Sequence, residues 1–201
     1  MTAKTIDFYF DFSSPYGYFA STKIDALAAK HGRETVWRPF LLGAVFKHTG
    51  GQPLTEIPIK GKYAAHDMAR TARHLGVEYR LPSAFPIGTV APARAYYWME
   101  AKDPGRAKAL AKALYRAYFV DDVDIGDAEK TIEVCAKQGL DAAAVRAGLA
   151  EPAVKDRLRA EVDKAIALGA FGSPYIVVDG EPFWGSDRLD QVDRWLATGG
   201  W

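Results

Sequence analysis

Two serines, each followed by proline, are the residues of this sequence best placed to do chemistry. Ser14-Pro15 comes just after the apolar stretch Ile6-Asp7-Phe8-Tyr9-Phe10 and just before a run from Phe19 to Ala29 with apolar residues at helical period. Ser14 suits an N-cap, and Pro15 suits the first helical turn, where its missing N–H would have had no partner. Strand, tight turn and helix N-terminus together set the Ser14 hydroxyl among unpaired backbone N–H groups at the positive end of a dipole. Such a place favours an anion, and it would stabilise a thiolate for the reason that cysteines at helix N-termini ionise readily. The turn itself carries no cysteine. Taken alone, a serine before a helix is an ordinary cap. The second serine, in Gly172-Ser173-Pro174, opens the apolar strand Tyr175-Ile176-Val177-Val178, which Asp179-Gly180 turns into a hairpin. A proline at the first residue of a strand is a place where a cis peptide bond occurs by design.

The elements that must hold these serines can be read along the chain. The first helix ends near His31-Gly32, and Glu34 to Phe40 reads as a second strand, completing a right-handed, parallel βαβ unit. From Gly43 to Pro58 the pattern is loop-like, and Tyr63 to Leu75 predicts a helix closed by Gly76. Arg80 to Pro92 is again irregular. Helices follow over about 93–102, 105–120, 127–138 and 141–149, the last two with acidic caps at Asp127 and Asp141. Pro152 starts a long helix reaching Leu168; then come the Pro174 strand, a hairpin strand near Pro182 to Trp184, and a final helix from Asp187 to Leu196.

Composition narrows the function classes. With 26 basic and 25 acidic residues the chain has no charge excess directed at nucleic acid or a membrane surface. Half of it is apolar, enough for a sizeable core. Met1 to Thr5 leads straight into a strand without the apolar stretch of a signal peptide, so a soluble cytoplasmic protein is expected. Cys135 reads as core packing, and His31, His48, His66 and His74 lack ligand spacing, so no metal site is expected. Of Tyr96, Tyr97 and Trp98, some should pack the core and one is free to line an apolar pocket, because three consecutive residues cannot share a helix face.

The Ser14 turn facing the Ser173-Pro174 loop resembles the α/β thioredoxin-like fold, in which the turn after the first strand meets a cis-proline loop. Ser14-Pro15-Tyr16-Gly17 then stands where a redox member carries Cys-x-x-Cys, so disulfide chemistry is excluded at that turn. The element order implies an all-helical domain, residues 43–155, inserted into a thioredoxin-like domain, residues 1–42 and 156–201, with a cleft between them. Asp11 to Tyr16, Leu41 to Lys47, Thr49 to Pro53, Pro58 to Tyr63, the Ser173-Pro174 loop and Phe183 to Leu189 are together similar to 2-hydroxychromene-2-carboxylate isomerases and the kappa-class glutathione transferases. That resemblance spans nearly the whole chain and implies a glutathione site and a homodimer. Ser14 would hydrogen-bond the glutathione sulfur and hold it as a thiolate. The Ser173-Pro174 loop would meet the cysteinyl part, the Ser173 backbone pairing with it as a strand pairs with a sheet edge. Asp187 would face the γ-glutamyl ammonium, Ser186 its carboxylate, and Lys60 the glycyl carboxylate. Where family members often have asparagine, this sequence has Gly51 and Gly88.

Residue chemistry runs parallel to the resemblance. A tripeptide with two carboxylates and an ammonium needs a cation, an anion and backbone donors, and Lys60, Asp187 and the Ser14 turn are such a set. Each also has an ordinary use: Lys60 as a solvated lysine, Ser186-Asp187 as the cap of the last helix. Lys47 and Arg38 read as surface or structural charges. The resemblance implies aromatic catabolism by a glutathione-dependent cis-trans isomerase of a hydroxychromene carboxylate, with glutathione acting as a covalent catalyst and regenerated. A transferase that consumes glutathione on an electrophile needs the same site. A non-enzymatic thioredoxin-like binding module would not retain the whole residue set.

Overall fold

The computed structural model describes residues 5–201; Met1 to Lys4, read above as the lead-in to the first strand, lie outside the described residues. A four-stranded sheet in the order β2-β1-β3-β4 forms the frame. Strand β1 (Thr5–Phe10) runs parallel to β2 (Glu34–Pro39), with Phe8 opposite Trp37, and antiparallel to β3 (Tyr175–Val178), with Phe8 opposite Ile176. Strand β4 (Glu181–Trp184) closes the hairpin, and its Pro182 sits on the sheet edge. Strand β3 is buried throughout and β1 from Phe8 to Phe10, which is why these stretches read as apolar runs rather than alternating ones, Asp7 being half-buried in its pair with Arg38. The Ser173–Pro174 bond is cis, and so is Phe85–Pro86, which the sequence reading did not single out.

The helix after β1 is not the single run expected. It divides into α1 (Pro15–Ser21) and α2 (Ile24–Lys30). Ser21 Oγ donates to Tyr18 O at 2.6 Å and Thr22 Oγ1 to Phe19 O at 2.7 Å. These back-bonds compete for the carbonyls on which the helical ladder depends. The stretch from Gly43 read as loop is instead helix α3 (Leu42–Thr49), ended by Gly50 at φ 72°. Glycine at the second helical position masked a pattern that Leu42, Val45, Phe46 and Thr49 otherwise carry. Helix α4 (Lys60–Leu75) begins three residues earlier than predicted. Ile59 at φ 68° turns the chain into it, with Lys60 N–H donating to Pro58 O at 2.7 Å. Gly61 is required there, since a Cβ would overlap the Thr55 carbonyl.

Helices α5 (Val90–Glu100), α6 (Pro104–Phe119), α7 (Ala128–Lys137), α8 (Ala142–Ala150) and α9 (Pro152–Leu168) complete the helical part between β2 and β3. Asp127 and Asp141 cap as expected, Asp141 accepting from Ala144 N–H at 2.7 Å. Helix α5 is central: it packs against α6, α7, α8 and α9. Tyr96, Tyr97 and Trp98 are therefore all buried, so all three pack the core where only some were expected to. A helix surrounded by partners is apolar all round. The Tyr96 hydroxyl donates to Trp37 O at 3.0 Å and the Tyr97 hydroxyl to Pro39 O at 2.7 Å, tying α5 to β2. Cys135 lies in the same core, and burial pushes its thiol up to about 12. Helix α10 (Leu189–Thr198) closes the chain over the sheet.

Trp98 seats directly on Gly148 of α8, where a Cβ would overlap the indole ring. Gly148→Ala should lower stability by about 1–3 kcal/mol through overpacking. A urea midpoint unchanged from wild type would mean that Trp98 has room to move aside.

Candidate functional site

The β1–α1 turn and the cis-proline loop meet through their serines. Ser14 Oγ donates to the Ser173 carbonyl at 2.9 Å and accepts from Gly17 N–H at 3.0 Å, so the hydroxyl is both a helix cap and a bridge across 159 residues. In return the Asp11 N–H donates to Ser173 Oγ at 2.9 Å. Both serines are buried. Pro174 O accepts from Gly185 N–H at 3.0 Å, which places the next turn, Ser186–Arg188, beside the same loop. Gly17 allows this closeness: a Cβ on it would stand 2.8 Å from both Ser173 Oγ and the Tyr115 hydroxyl. A side chain added there would have to push the Ser173 and Tyr115 hydroxyls aside.

The anion-favouring helix end expected at Ser14 is weaker than its sequence implied. Helix α1 has seven residues rather than the expected run to Ala29, Pro15 brings no N–H, and the Gly17 N–H is already taken by Ser14. What remains is the hydroxyl and the tight turn that aims it.

Asp11, to which the sequence alone assigns no role, carries the turn. Its Oδ1 accepts from Ser13 N–H at 2.7 Å and its Oδ2 from Leu42 N–H at 2.8 Å. The Thr89 hydroxyl lies 3.1 Å from Oδ2. The Asp11 backbone carbonyl accepts from the Tyr115 hydroxyl at 3.1 Å. One residue thus joins the β1–α1 turn to the starts of α3 and α5 and to α6. The Ile87 N–H adds to this by donating to Ser13 Oγ at 3.1 Å, which binds the Phe85–Pro86 loop to the turn. Burial without a cationic partner raises the Asp11 pKa to about 6, against the pull of its three hydrogen-bond donors. A carboxylate between two phenylalanines, Phe10 and Phe12, at the end of an apolar strand was the signal available in the sequence.

The other predicted residues lie around this centre without touching it. Ser186 and Asp187 do not cap the last helix: residues 186–188 form a 3-10 turn, and no side chain bonds the α10 N-terminus. That turn lies against α1. The exposed Asp187 carboxylate accepts from Arg188 Nη1 at 2.9 Å, so its charge is available to solvent but has a neighbouring cation. Lys60 is exposed at the first residue of α4. Helix α4 is held to α1 by the Tyr16 hydroxyl, which donates to Asp67 Oδ2 at 2.8 Å. Seven residues separate Lys60 from Asp67, about 10 Å along the helix. Arg38 pairs with Asp7 at 2.7 Å and with Glu161 at 3.2 Å and serves structure. At Gly51 a Cβ would stand 2.6 Å from the Phe46 ring, which would have to turn aside to admit a side chain, whereas Gly88 faces open space.

A cavity of about 400 Å³ lies elsewhere, beside the edge strand, lined by Phe183, Trp184, Arg188, Trp195 and Trp201 among others. None of Ser14, Lys60 and Ser173 borders it. Among the described residues no group of His, Cys, Asp and Glu side chains converges to hold a metal ion, and no helix is long and apolar enough to cross a membrane.

Sheet order, cis-proline loop and helical insertion define a protein of the DsbA-like thioredoxin class, and the chain matches the DSBA-like thioredoxin domain over residues 5–197. It belongs, within that class, to the family of 2-hydroxychromene-2-carboxylate isomerases and kappa-class glutathione transferases. It is 33% identical over 196 residues to a 2-hydroxychromene-2-carboxylate isomerase of Sphingobium xenophagum, covering 96% of this chain and 98% of the relative. It is 30% identical over 210 residues to glutathione S-transferase kappa 2 of Caenorhabditis elegans, covering 96% and 92%. A solved structure of a 2-hydroxychromene-2-carboxylate isomerase shares the fold, with a TM-score of 0.83 at 24% identity over 96% of this chain and 94% of that one.

The Asp11 carboxyl makes stability depend on pH in a direction opposite to the usual acidic group. Its folded-state pKa is raised, so its contribution is fully present below about pH 4 and is lost as pH rises through about 6. The loss should amount to ~3 kcal/mol. In Asp11→Asn the carboxamide cannot titrate, although its NH₂ must face one of the two backbone donors. Urea midpoints of both proteins between pH 4 and 7.5 should therefore diverge at low pH, wild type gaining on the variant. Parallel curves would show that Asp11 does not titrate in this range.

Proposed function

We propose that this chain is a glutathione-dependent isomerase of an aromatic hydroxychromene carboxylate or a closely similar unsaturated keto acid. The observation that carries the reading is the Ser14–Ser173 contact: a hydroxyl in the place of a redox cysteine, held at 2.9 Å from the carbonyl of the cis-proline loop. Kinship with an isomerase over 96% of the chain supports it. The residues fit the peptide in kind. Asp187 offers an exposed carboxylate to the γ-glutamyl ammonium, with Ser186 beside it for the adjoining carboxylate. Lys60 offers an exposed ammonium to the glycyl carboxylate, and Ser173 with cis Pro174 offers backbone to the cysteinyl residue.

Glutathione, when bound, supplies a thiolate nucleophile for the conjugated double bond, and with it covalent catalysis that allows bond rotation. The chain's own part is to hold that sulfur ionised and aimed. A free thiol has a pKa of about 8.5, so the Ser14 hydroxyl must favour the anion by donating to it. Asp11 acts behind it by fixing the turn, and Tyr16 by fixing α4 and its Lys60. In the same reading residues 1–42 and 156–201 form the thioredoxin-like domain and 43–155 the helical insertion, and the protein works as a cytoplasmic homodimer. Kinship with kappa-class transferases favours a second reading, in which the same thiolate is joined to an electrophile and consumed.

Ser14→Ala should reduce turnover roughly 100- to 1000-fold, the usual loss for one donor to a developing anion. That variant does not separate the two readings; the fate of the thiol does. Hydroxychromene carboxylate absorbance should change over many turnovers with trace glutathione while the free thiol titre stays flat. One thiol consumed per product would replace the isomerase by the transferase. Absence of calorimetric heat at millimolar glutathione would remove both.

A further inference from the structure

Ser14 already has a partner for its only proton. The hydroxyl donates to Ser173 O and its oxygen is held from the other side by Gly17 N–H. A serine hydroxyl has one hydrogen, so it cannot donate to Ser173 O and to a sulfur at once. The oxygen itself has little freedom. It caps α1, and Gly17 is packed so closely that a Cβ on it would meet Ser173 Oγ, the Tyr115 hydroxyl and, at 3.3 Å, the Ser14 Cβ. Only rotation of the O–H bond is available. The Ser173 carbonyl is equally fixed, because Asp11 N–H holds the Ser173 side chain and Gly185 N–H holds the next carbonyl along.

We propose that Ser14 and Ser173 form a proton latch that selects thiols carried on a peptide N–H. Turning the Ser14 proton toward a ligand sulfur leaves the buried Ser173 carbonyl without a donor, a loss of roughly 10- to 100-fold in the opened state unless another N–H replaces it. A cysteinyl residue laid along the cis-proline loop brings that N–H. The exchange balances: the ligand N–H takes the carbonyl, the Ser14 O–H turns to the sulfur, and the thiol proton leaves to solvent. A simple thiol brings no N–H, so the latch stays closed and its sulfur keeps an ordinary pKa. Ser173 O thereby becomes a specificity-determining acceptor. The inference rests on the glutathione reading above and adds the order in which one proton is used.

The test compares glutathione with its ester analogue, in which oxygen replaces the cysteinyl N–H, by following thiolate ultraviolet absorbance against pH for each bound to wild type and to Ser14→Ala. In wild type the bound glutathione thiol should titrate at least about one unit below that of the ester. In Ser14→Ala the two should titrate together. If the ester's thiol falls as far as glutathione's in wild type, the latch is wrong while the glutathione site stands. A gap that persists in Ser14→Ala would equally overturn it, since the gap would then owe nothing to the Ser14 proton. If glutathione itself fails to bind, the functional reading falls and the latch with it.

Discussion

A single buried carboxylate, Asp11, holds together stretches of chain that the sequence separates widely. Its two oxygens accept from the turn that follows β1 and from the first turn of α3, while the Thr89 hydroxyl approaches from the start of α5. Burying a charge without a cation is unfavourable, and here three donors offset part of that cost. The arrangement persists because those donors are backbone and hydroxyl groups that would otherwise be buried without partners. Ser14, Ser173 and the Phe85–Pro86 loop all take their positions from the turn it fixes.

A second charged cluster anchors the helical part to the sheet from the other side. Glu161, buried in α9, lies between Arg38 of β2 and Arg157 of its own helix, and Arg157 reaches Glu100 of α5 at 3.3 Å. The guanidinium of Arg38 also stands over the Tyr9 ring and that of Arg157 over Tyr97. Such a cluster orients more than it stabilises, because desolvation cancels much of the attraction between buried charges. Together with the Tyr96 and Tyr97 hydroxyls on β2 carbonyls, it sets how α5 and α9 meet the sheet.

These two anchors leave the chemistry at their junction to small groups. Two serine hydroxyls, the Ser173 carbonyl, the Asp11 N–H and a closely packed glycine make up the contact between turn and cis-proline loop. The charged residues sit further out, on α4 and on the 186–188 turn, exposed and close to α1 through backbone packing. In the glutathione reading proposed above, the buried centre would aim the reactive atom and the solvated rim would match the charged ends.

The sequence by itself determined the βαβ start, the closing hairpin and the acidic helix caps, because these rest on local rules: period, turn residues and capping chemistry; that Ser14-Pro15 faces Ser173-Pro174 came from the thioredoxin-like resemblance. It also carried the kinship, through blocks such as Phe183 to Leu189. What it could not decide depends on neighbours distant in the chain. The break at Thr22 follows from hydroxyls that choose carbonyls over solvent, and the burial of Tyr96, Tyr97 and Trp98 together from helices packed around α5. The role of Asp11 needed Leu42 and Thr89 to be brought to it, and the engagement of the Ser14 proton needed Ser173, 159 residues away, to arrive within 2.9 Å. A hydrogen bond is a matter of a few tenths of an ångström and of direction. Residue types announce who can donate and accept, and only the folded chain decides which donor meets which acceptor.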